Sequence, residues 1–262
     1  MRIYSDCREL MSEMGRDLWE MGKIVKPKHY QNKNIEGDED FQTKELICKQ
    51  YCLTSLSEVE YLFVYSNAQN WADAEMKERL TYPPVNPGIA WKIRRDLWEQ
   101  FLVGEEIPRF DYTYSERMNQ AVYYNFDRKT LLDAVAKLLV DDPDTRKAII
   151  PIFGNREDEL SDINYLDGSA RIPCSMYYDF LLRDGKLNIC YHERSSDFIT
   201  HFGNDVYLAW KLMEAMCHRI NELLPEDADV VEPGYLYHTI DSLHAYKKDW
   251  VKLKSNIDDL VK

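Results

Sequence analysis

The sequence lacks the spacings that hold a structural metal. Its six cysteines, Cys7, Cys48, Cys52, Cys174, Cys190 and Cys217, form no C-x-x-C pair and no partnered histidine spacing, so no zinc or other metal site is expected. A chain of 262 residues does not need a disulfide framework, and reduced thiols are the simplest expectation. No apolar run approaches the roughly 18 residues that span a bilayer. Met1 to Trp19 alternates charged with apolar residues and has no signal-peptide apolar segment, which points to a cytoplasmic protein without a membrane partner. Positive charge is also short. With 33 Lys and Arg against 46 Asp and Glu, the net charge is −13, which opposes nonspecific nucleic-acid binding. A few arginines can still form a local anion pocket.

What is present suffices for a large core: 45% apolar residues, with 18 Tyr and 6 Trp, exclude wholesale disorder. No repeat or low-complexity tract divides the chain, and a single domain over 1–262 is expected. Leu10, Met14, Leu18 and Met21 have helical spacing within 1–30. Residues 34–43 read as a polar loop and 45–55 as a strand. Ser57 is placed to cap a helix that holds Glu58 and Glu60 in its first turn and continues toward Leu80, broken near Asn67. After the Pro83–Gly88 interruption, helices are expected at 89–102 and 130–140. Segments 148–153, 176–184 and 186–194 read as strands, the last two joined at Asp184-Gly185 as a hairpin. A long helix over 205–224 and a strand over 235–246 complete the order. Helices and strands without regular β-α-β alternation indicate an α+β fold, a mixed sheet packed with helices.

Cys174 lies in RIPCSMYYDF, at the entry to the first hairpin strand. Arg194 follows the second strand in HERSSDF, so pairing across the turn brings it close to Cys174. A guanidinium beside a thiol favours the thiolate, the form that attacks carbon. A lone cysteine is otherwise most often a buried structural residue.

Five fragments, DDPDTRKAII, RIPCSMYYDF, HERSSDF, GNDVYLAW and PGYLYHTIDSLHAY, occur in the order seen in the thymidylate synthase family, which the chain resembles best over roughly residues 130 to 250. The resemblance implies a sheet-to-sheet homodimer acting on a pyrimidine nucleoside monophosphate, with 5,10-methylenetetrahydrofolate as co-substrate. Cys174 would add to carbon 6 of the ring. Arg194 and Ser195 would hold the phosphate, joined by Arg146 and Lys147 from the partner subunit. His244 and Tyr246 would bind the sugar 3′-hydroxyl, and Asp197 the pterin. The sequence departs from the family at Ser175, where histidine is usual, at Asp179 and Glu193, where glutamine is usual, and at His201, where a glycine contacts folate. The tail NIDDLVK does not resemble the family's closing segment.

Counting eleven residues from Arg194 reaches Asp205, where the synthases place an asparagine that reads uracil and the phage deoxycytidylate hydroxymethylases carry aspartate. Uracil offers an N3–H donor and an O4 acceptor, which suit a carboxamide. Cytosine offers an N3 acceptor and an N4 amino donor, which suit a protonated carboxyl. Asp205 is therefore expected to read cytosine, and Asn204 is the alternative reader. A hydroxymethyl product needs a water placed near the transferred carbon; the stretch WADAEM favours Glu75 for this, with Glu58 the rival. Tyr112 or Tyr114 would line the same site. The expected activity is deoxycytidylate 5-hydroxymethyl transfer. Pyrimidine nucleotide C5-methylation, on deoxycytidylate or deoxyuridylate, and a catalytically idle nucleotide-binding relative are the alternatives.

Overall fold

Alternating burial along the long strands sets the architecture. Residues 175–183 read B-i-e-B-i-B-i-B-i and residues 186–193 alternate exposed or half-buried with buried, so one sheet face is packed and the other is open. The computed structural model describes residues 1–30, 33–104, 106–154 and 171–260. In chain order the elements are β1 (Arg2–Tyr4), α1 (Cys7–Met21), β2 (Lys23–Val25), β3 (His29–Tyr30), β4 (Lys33–Asn34), β5 (Thr43–Leu53), α2 (Gln69–Arg79), α3 (Arg95–Trp98) and α4 (Tyr114–Met118). Then come β6 (Ala121–Tyr124), β7 (Asp127–Thr130), α5 (Leu131–Asp141), β8 (Ile149–Pro151), β9 (Ser175–Arg183), β10 (Lys186–Glu193), β11 (Ser196–Asp197), α6 (Gly203–Leu223), β12 (Glu232–Tyr246) and α7 (Trp250–Leu260).

Eight strands form one mixed sheet in the order β1-β5-β12-β10-β9-β8, with β2 beside β5 and β11 beside β12. Neighbours β1 and β5, β10 and β12, and β11 and β12 are parallel, and the remaining pairs are antiparallel. This is the α+β fold that the element order predicts. Helices α1 and α6 cover the packed face. Leu10, Met14 and Leu18 of α1 and Val206, Met213 and Ile220 of α6 are fully buried against Tyr51, Phe180, Ile189 and Ile240 of the sheet. Each such side chain contributes roughly 1.5–3 kcal/mol of burial.

Local signals explain most boundaries. The Asp6 carboxylate accepts from the Glu9 amide at 2.8 Å and starts α1. The helix ends at Met21, because Gly22 turns extended and donates its N–H to the Leu18 carbonyl. Thr130 caps α5 in the same way. Asn67, Asp184 and Gly185 all take positive φ, as the expected break and turn require.

Two expectations are corrected. Ser57 caps no helix: its hydroxyl accepts from that of Ser55, Glu58 adopts the left-handed conformation, and only a 3-10 turn, Val59–Phe63, follows. The segment 89–102 is not one helix but a 3-10 turn at Ala90–Arg94, the short α3, and another 3-10 turn at Glu99–Phe101. Trp91, Trp98 and Phe101 from these three pieces all line one cavity.

The open sheet face shows Ile47 (70% exposed), Ile149 and Tyr177. On it, Asp179 has a buried Oδ1 without a hydrogen-bond partner among the described residues.

Candidate active site

The start of β9, the end of β10, β11, the end of β12 and the first turn of α6 converge on one cavity of about 410 Å³, within the usual range of small-molecule sites. Cys174, Arg194, Ser195, Asp197, Asp205, His244, Tyr246 and Glu75 all line it. These residues are scattered over 172 positions of sequence, from 75 to 246, and the sheet brings them together.

The hairpin sets the nucleophile. A register shift between His192 and Glu193 pairs Glu193 with Ser175, and the Arg194 amide then donates to the Cys174 carbonyl at 2.9 Å. The Arg194 guanidinium donates to the carbonyls of Pro173 at 2.8 Å and Ile172 at 3.1 Å, and lies 3.9 Å from the Cys174 sulfur. The expected activation is only partly realised. Burial pushes the Cys174 thiol up, and Arg194 opposes this without overcoming it. The resting residue is therefore a thiol. Ser175, next along, is buried; its hydroxyl meets those of Tyr191 at 2.6 Å and Tyr114 at 3.1 Å. Of the two candidate tyrosines, both line the cavity, and Tyr114 is the one tied to the residue after the nucleophile.

Asp205 enters from the first turn of α6, half-buried. The Ser196 hydroxyl donates to its Oδ2 at 3.3 Å. Burial holds its carboxyl well above the usual range, reinforced by the neighbouring Glu193 and partly offset by Arg79. Asn204 points elsewhere: it is buried outside the cavity lining and its Nδ2 donates to the Thr200 carbonyl at 3.0 Å.

At the other end, β11 pairs with β12 so that Asp197 stands opposite His244, and the His244 and Tyr246 rings are 5.1 Å apart. Asp197 uses Oδ1 to accept the amides of Ile199 at 3.0 Å and Thr200 at 3.3 Å. Glu75 projects from α2 and accepts from Arg79 Nε at 2.9 Å; Glu58 is exposed and does not line the cavity. Arg146 and Lys147 are exposed, also outside this cavity, just before edge strand β8.

Sequence reasoning missed several lining residues. Arg171, three residues before Cys174, is buried, and its Nε and Nη1 have no partner among the described residues. Its guanidinium lies 4.5 Å from the Phe101 ring centre and 5.3 Å from that of Tyr112, a desolvated cation that requires an acceptor. Trp71 and Trp98 stack at 5.7 Å to extend the same wall. His201 also lines the cavity, and burial pushes its pKa down to about 4. Arg171 opens RIPCSMYYDF, Trp71 opens WADAEM and His201 marks a departure from the family pattern, but only packing shows that these side chains share one wall. Among the described residues, no group of three or more His, Cys, Asp or Glu side chains is placed to hold a metal ion, and no helix is long and apolar enough to cross a membrane.

The chain is similar to known proteins. A protein of Methanosarcina barkeri (strain Fusaro / DSM 804) named "Putative thymidylate synthase" is 28% identical over 168 residues, 62% of this chain and 65% of that protein. The chain thus spans about 65% of the length of that curated relative. The deoxyuridylate hydroxymethyltransferase of Bacillus phage SP01 is 31% identical over 150 residues, 54% of this chain and 35% of that protein. The structure of thermostable thymidylate synthase A from Bacillus subtilis superposes with a TM-score of 0.69 over 97% of this chain and 84% of that chain, at 16% identity, a likeness of fold. The family model described as Thymidylate synthase matches residues 90–260, so the chain belongs to the thymidylate synthase family.

Proposed function

We propose that the protein is a deoxycytidylate 5-hydroxymethyltransferase. The observation that carries this reading is Asp205: a carboxyl at the cavity wall whose burial favours the neutral form. A neutral carboxyl donates O–H to N3 of cytosine and accepts from its N4 amino group, whereas uracil would need the proton on the other carboxyl oxygen.

In this reading Cys174 attacks carbon 6, and the ring becomes nucleophilic at carbon 5. The folate supplies a methylene group at the oxidation level of formaldehyde. Arg194 and Ser195 hold the phosphate, and His244 and Tyr246 orient the sugar. The unpartnered edge of Arg171, the Trp71–Trp98 wall and Asp197 fit a planar heteroaromatic ring with acceptor atoms, so they would hold the pterin. Glu75, fixed by Arg79, would orient the water that ends up as the new hydroxyl.

The reading extends to a single domain over 1–262 working in the cytoplasm as a homodimer. Exposed apolar residues on the open sheet face, and the lone Oδ1 of Asp179 there, support a sheet-to-sheet contact. Arg146 and Lys147 lie at that edge and would complete the partner's phosphate site.

The phage relative supports hydroxymethyl transfer and makes deoxyuridylate the second substrate to test. Purified protein with methylenetetrahydrofolate and each nucleotide decides both points by product mass. Addition of CH2O to deoxycytidylate is expected. Addition of CH2 would mean methylation, and turnover of deoxyuridylate alone would sink the cytosine assignment.

A further inference from the structure

We infer that Glu193 and Asp205 hold one proton between them and pass it to ring nitrogen N3 of the bound base, so that Glu193, which does not touch the ring, is the positioning residue for base recognition. The inference rests on the cytosine reading above and adds a residue to it. Glu193 closes β10 with 1% exposure, behind the cavity wall. Its carboxyl shares a hydrogen bond with that of Asp205, and both are also bonded by Ser196.

His238 and Tyr51 pack behind Glu193. His238 Nε2 lies 3.0 Å from Glu193 Oε2, and His238 Nδ1 lies 2.8 Å from the Tyr51 hydroxyl. The imidazole is completely buried and neutral, burial pushing its pKa down to about 3. In the tautomer whose Nδ1 accepts from the Tyr51 hydroxyl, Nε2–H donates to Glu193 and keeps Oε2 an acceptor. In that tautomer the shared proton lies on the Oε1 side of the Glu193 carboxyl.

The titratable and charged groups around the pair include Tyr51 of β5, Arg79 of α2, Arg94, Tyr178 of β9, Tyr191 of β10, His238 of β12, and Cys174. Of the two cations, Arg79 is paired with Glu75, and Arg94 donates to the Thr200 carbonyl at 3.4 Å and is shared with Asp197. A buried and a half-buried carboxylate in contact are not both held ionised at rest by these shared charges. Burial pushes Glu193 up to about 7 and holds Asp205 well above the usual carboxylate range.

The proton balances the first chemical step. After the Cys174 thiol loses its proton to water in the cavity, its thiolate forms the S–C6 bond. The C5=C6 pair moves to C4–C5, the C4=N3 pair moves onto N3, and N3 takes the proton from Asp205. Asp205 is left ionised, a state disfavoured at rest but now offset by the N3–H and N4 amino donors of the adduct. Uracil already carries a hydrogen on N3 and has no use for this proton.

Glu193→Gln tests the assignment. The amide removes the neighbouring carboxyl and donates to Asp205, favouring its ionised form. For deoxycytidylate, the alkaline fall of kcat/KM should move to lower pH by about one unit or more, giving about a tenfold loss at pH 8 that is largely recovered at pH 6. Thermal unfolding and circular dichroism at pH 6 report whether the variant is folded. Infrared spectra of wild type at pH 8 should also show one protonated-carboxyl band that is lost in Asp205→Asn and shifted in Glu193→Gln. An unchanged pH profile with Glu193→Gln, while wild type uses deoxycytidylate, overturns the role of Glu193 and leaves the cytosine reading standing. A wild type that uses only deoxyuridylate overturns the cytosine reading and proton delivery with it. A folded variant whose activity is low at every pH, with no recovery at pH 6, also overturns the proposal.

Discussion

Arg194 grips the backbone on which Cys174 sits. Its amide donates to the Cys174 carbonyl at 2.9 Å, and its guanidinium donates to the two preceding carbonyls. Arg194→Lys keeps the charge but loses the fork that serves both carbonyls. A fall in kcat/KM of about a hundredfold is expected. Alkylation of Cys174 by iodoacetamide should require higher pH in the variant, because Arg194, the larger of the two charges opposing burial beside Arg171, is less well placed. An unchanged alkylation profile would limit Arg194 to phosphate binding.

Asp205→Asn should exchange one base for the other. The carboxamide presents an oxygen and an amino group, the pattern that uracil matches. Loss of activity on deoxycytidylate and gain on deoxyuridylate are expected, a combined swing of about a hundredfold or more. The measurement is kcat/KM with both nucleotides under the same conditions.

Glu75→Gln keeps the shape of the side chain and removes its charge from Arg79. The hydroxymethyl product should fall by about tenfold or more. Release of tritium from carbon 5 should persist, since it precedes the water step. Equal loss of both signals would place Glu75 earlier in the reaction.

Stability should fall as pH rises from about 6.5 through about 7. Burial raises Glu193 to about 7 from an ordinary 4.5 and holds Asp205 well above the usual carboxylate range. The folded chain therefore binds more protons than the unfolded chain until Glu193 titrates, and that group costs up to about 1.4 kcal/mol per pH unit over this window. Below about 6.5, His201 and His238 act in the opposite sense, because their folded values are pushed down to about 4 and 3. The two effects then offset. Melting temperatures across this range check the slope, which Glu193→Gln should flatten.

Gly203 starts α6 two residues before Asp205. A Cβ there would lie 1.8 Å from the Leu62 carbonyl, a backbone atom that cannot rotate away. Its φ is ordinary, so the objection is purely steric. Gly203→Ala should destabilise the fold by about 1–3 kcal/mol, seen as a lower denaturant midpoint, and should weaken nucleotide binding by displacing Asp205.

The sequence by itself determined the hairpin, the long final strand and the order of motifs. Each is written in local terms: an Asp184-Gly185 turn, alternation of buried residues, and short runs such as RIPC and SLHAY. It also determined the closeness of Cys174 and Arg194, because antiparallel pairing fixes what faces what across a turn. Only the tertiary structure decided the breakup of 89–102 into two 3-10 turns and a short helix. It separated Glu75 from Glu58 and Asp205 from Asn204, since the direction of a side chain depends on how its helix is rotated against the sheet. It also showed that burial outweighs Arg194 at the Cys174 sulfur, and that Glu193 lies behind Asp205. Desolvation and charge pairing are properties of neighbours far apart in the chain, and no local pattern encodes them.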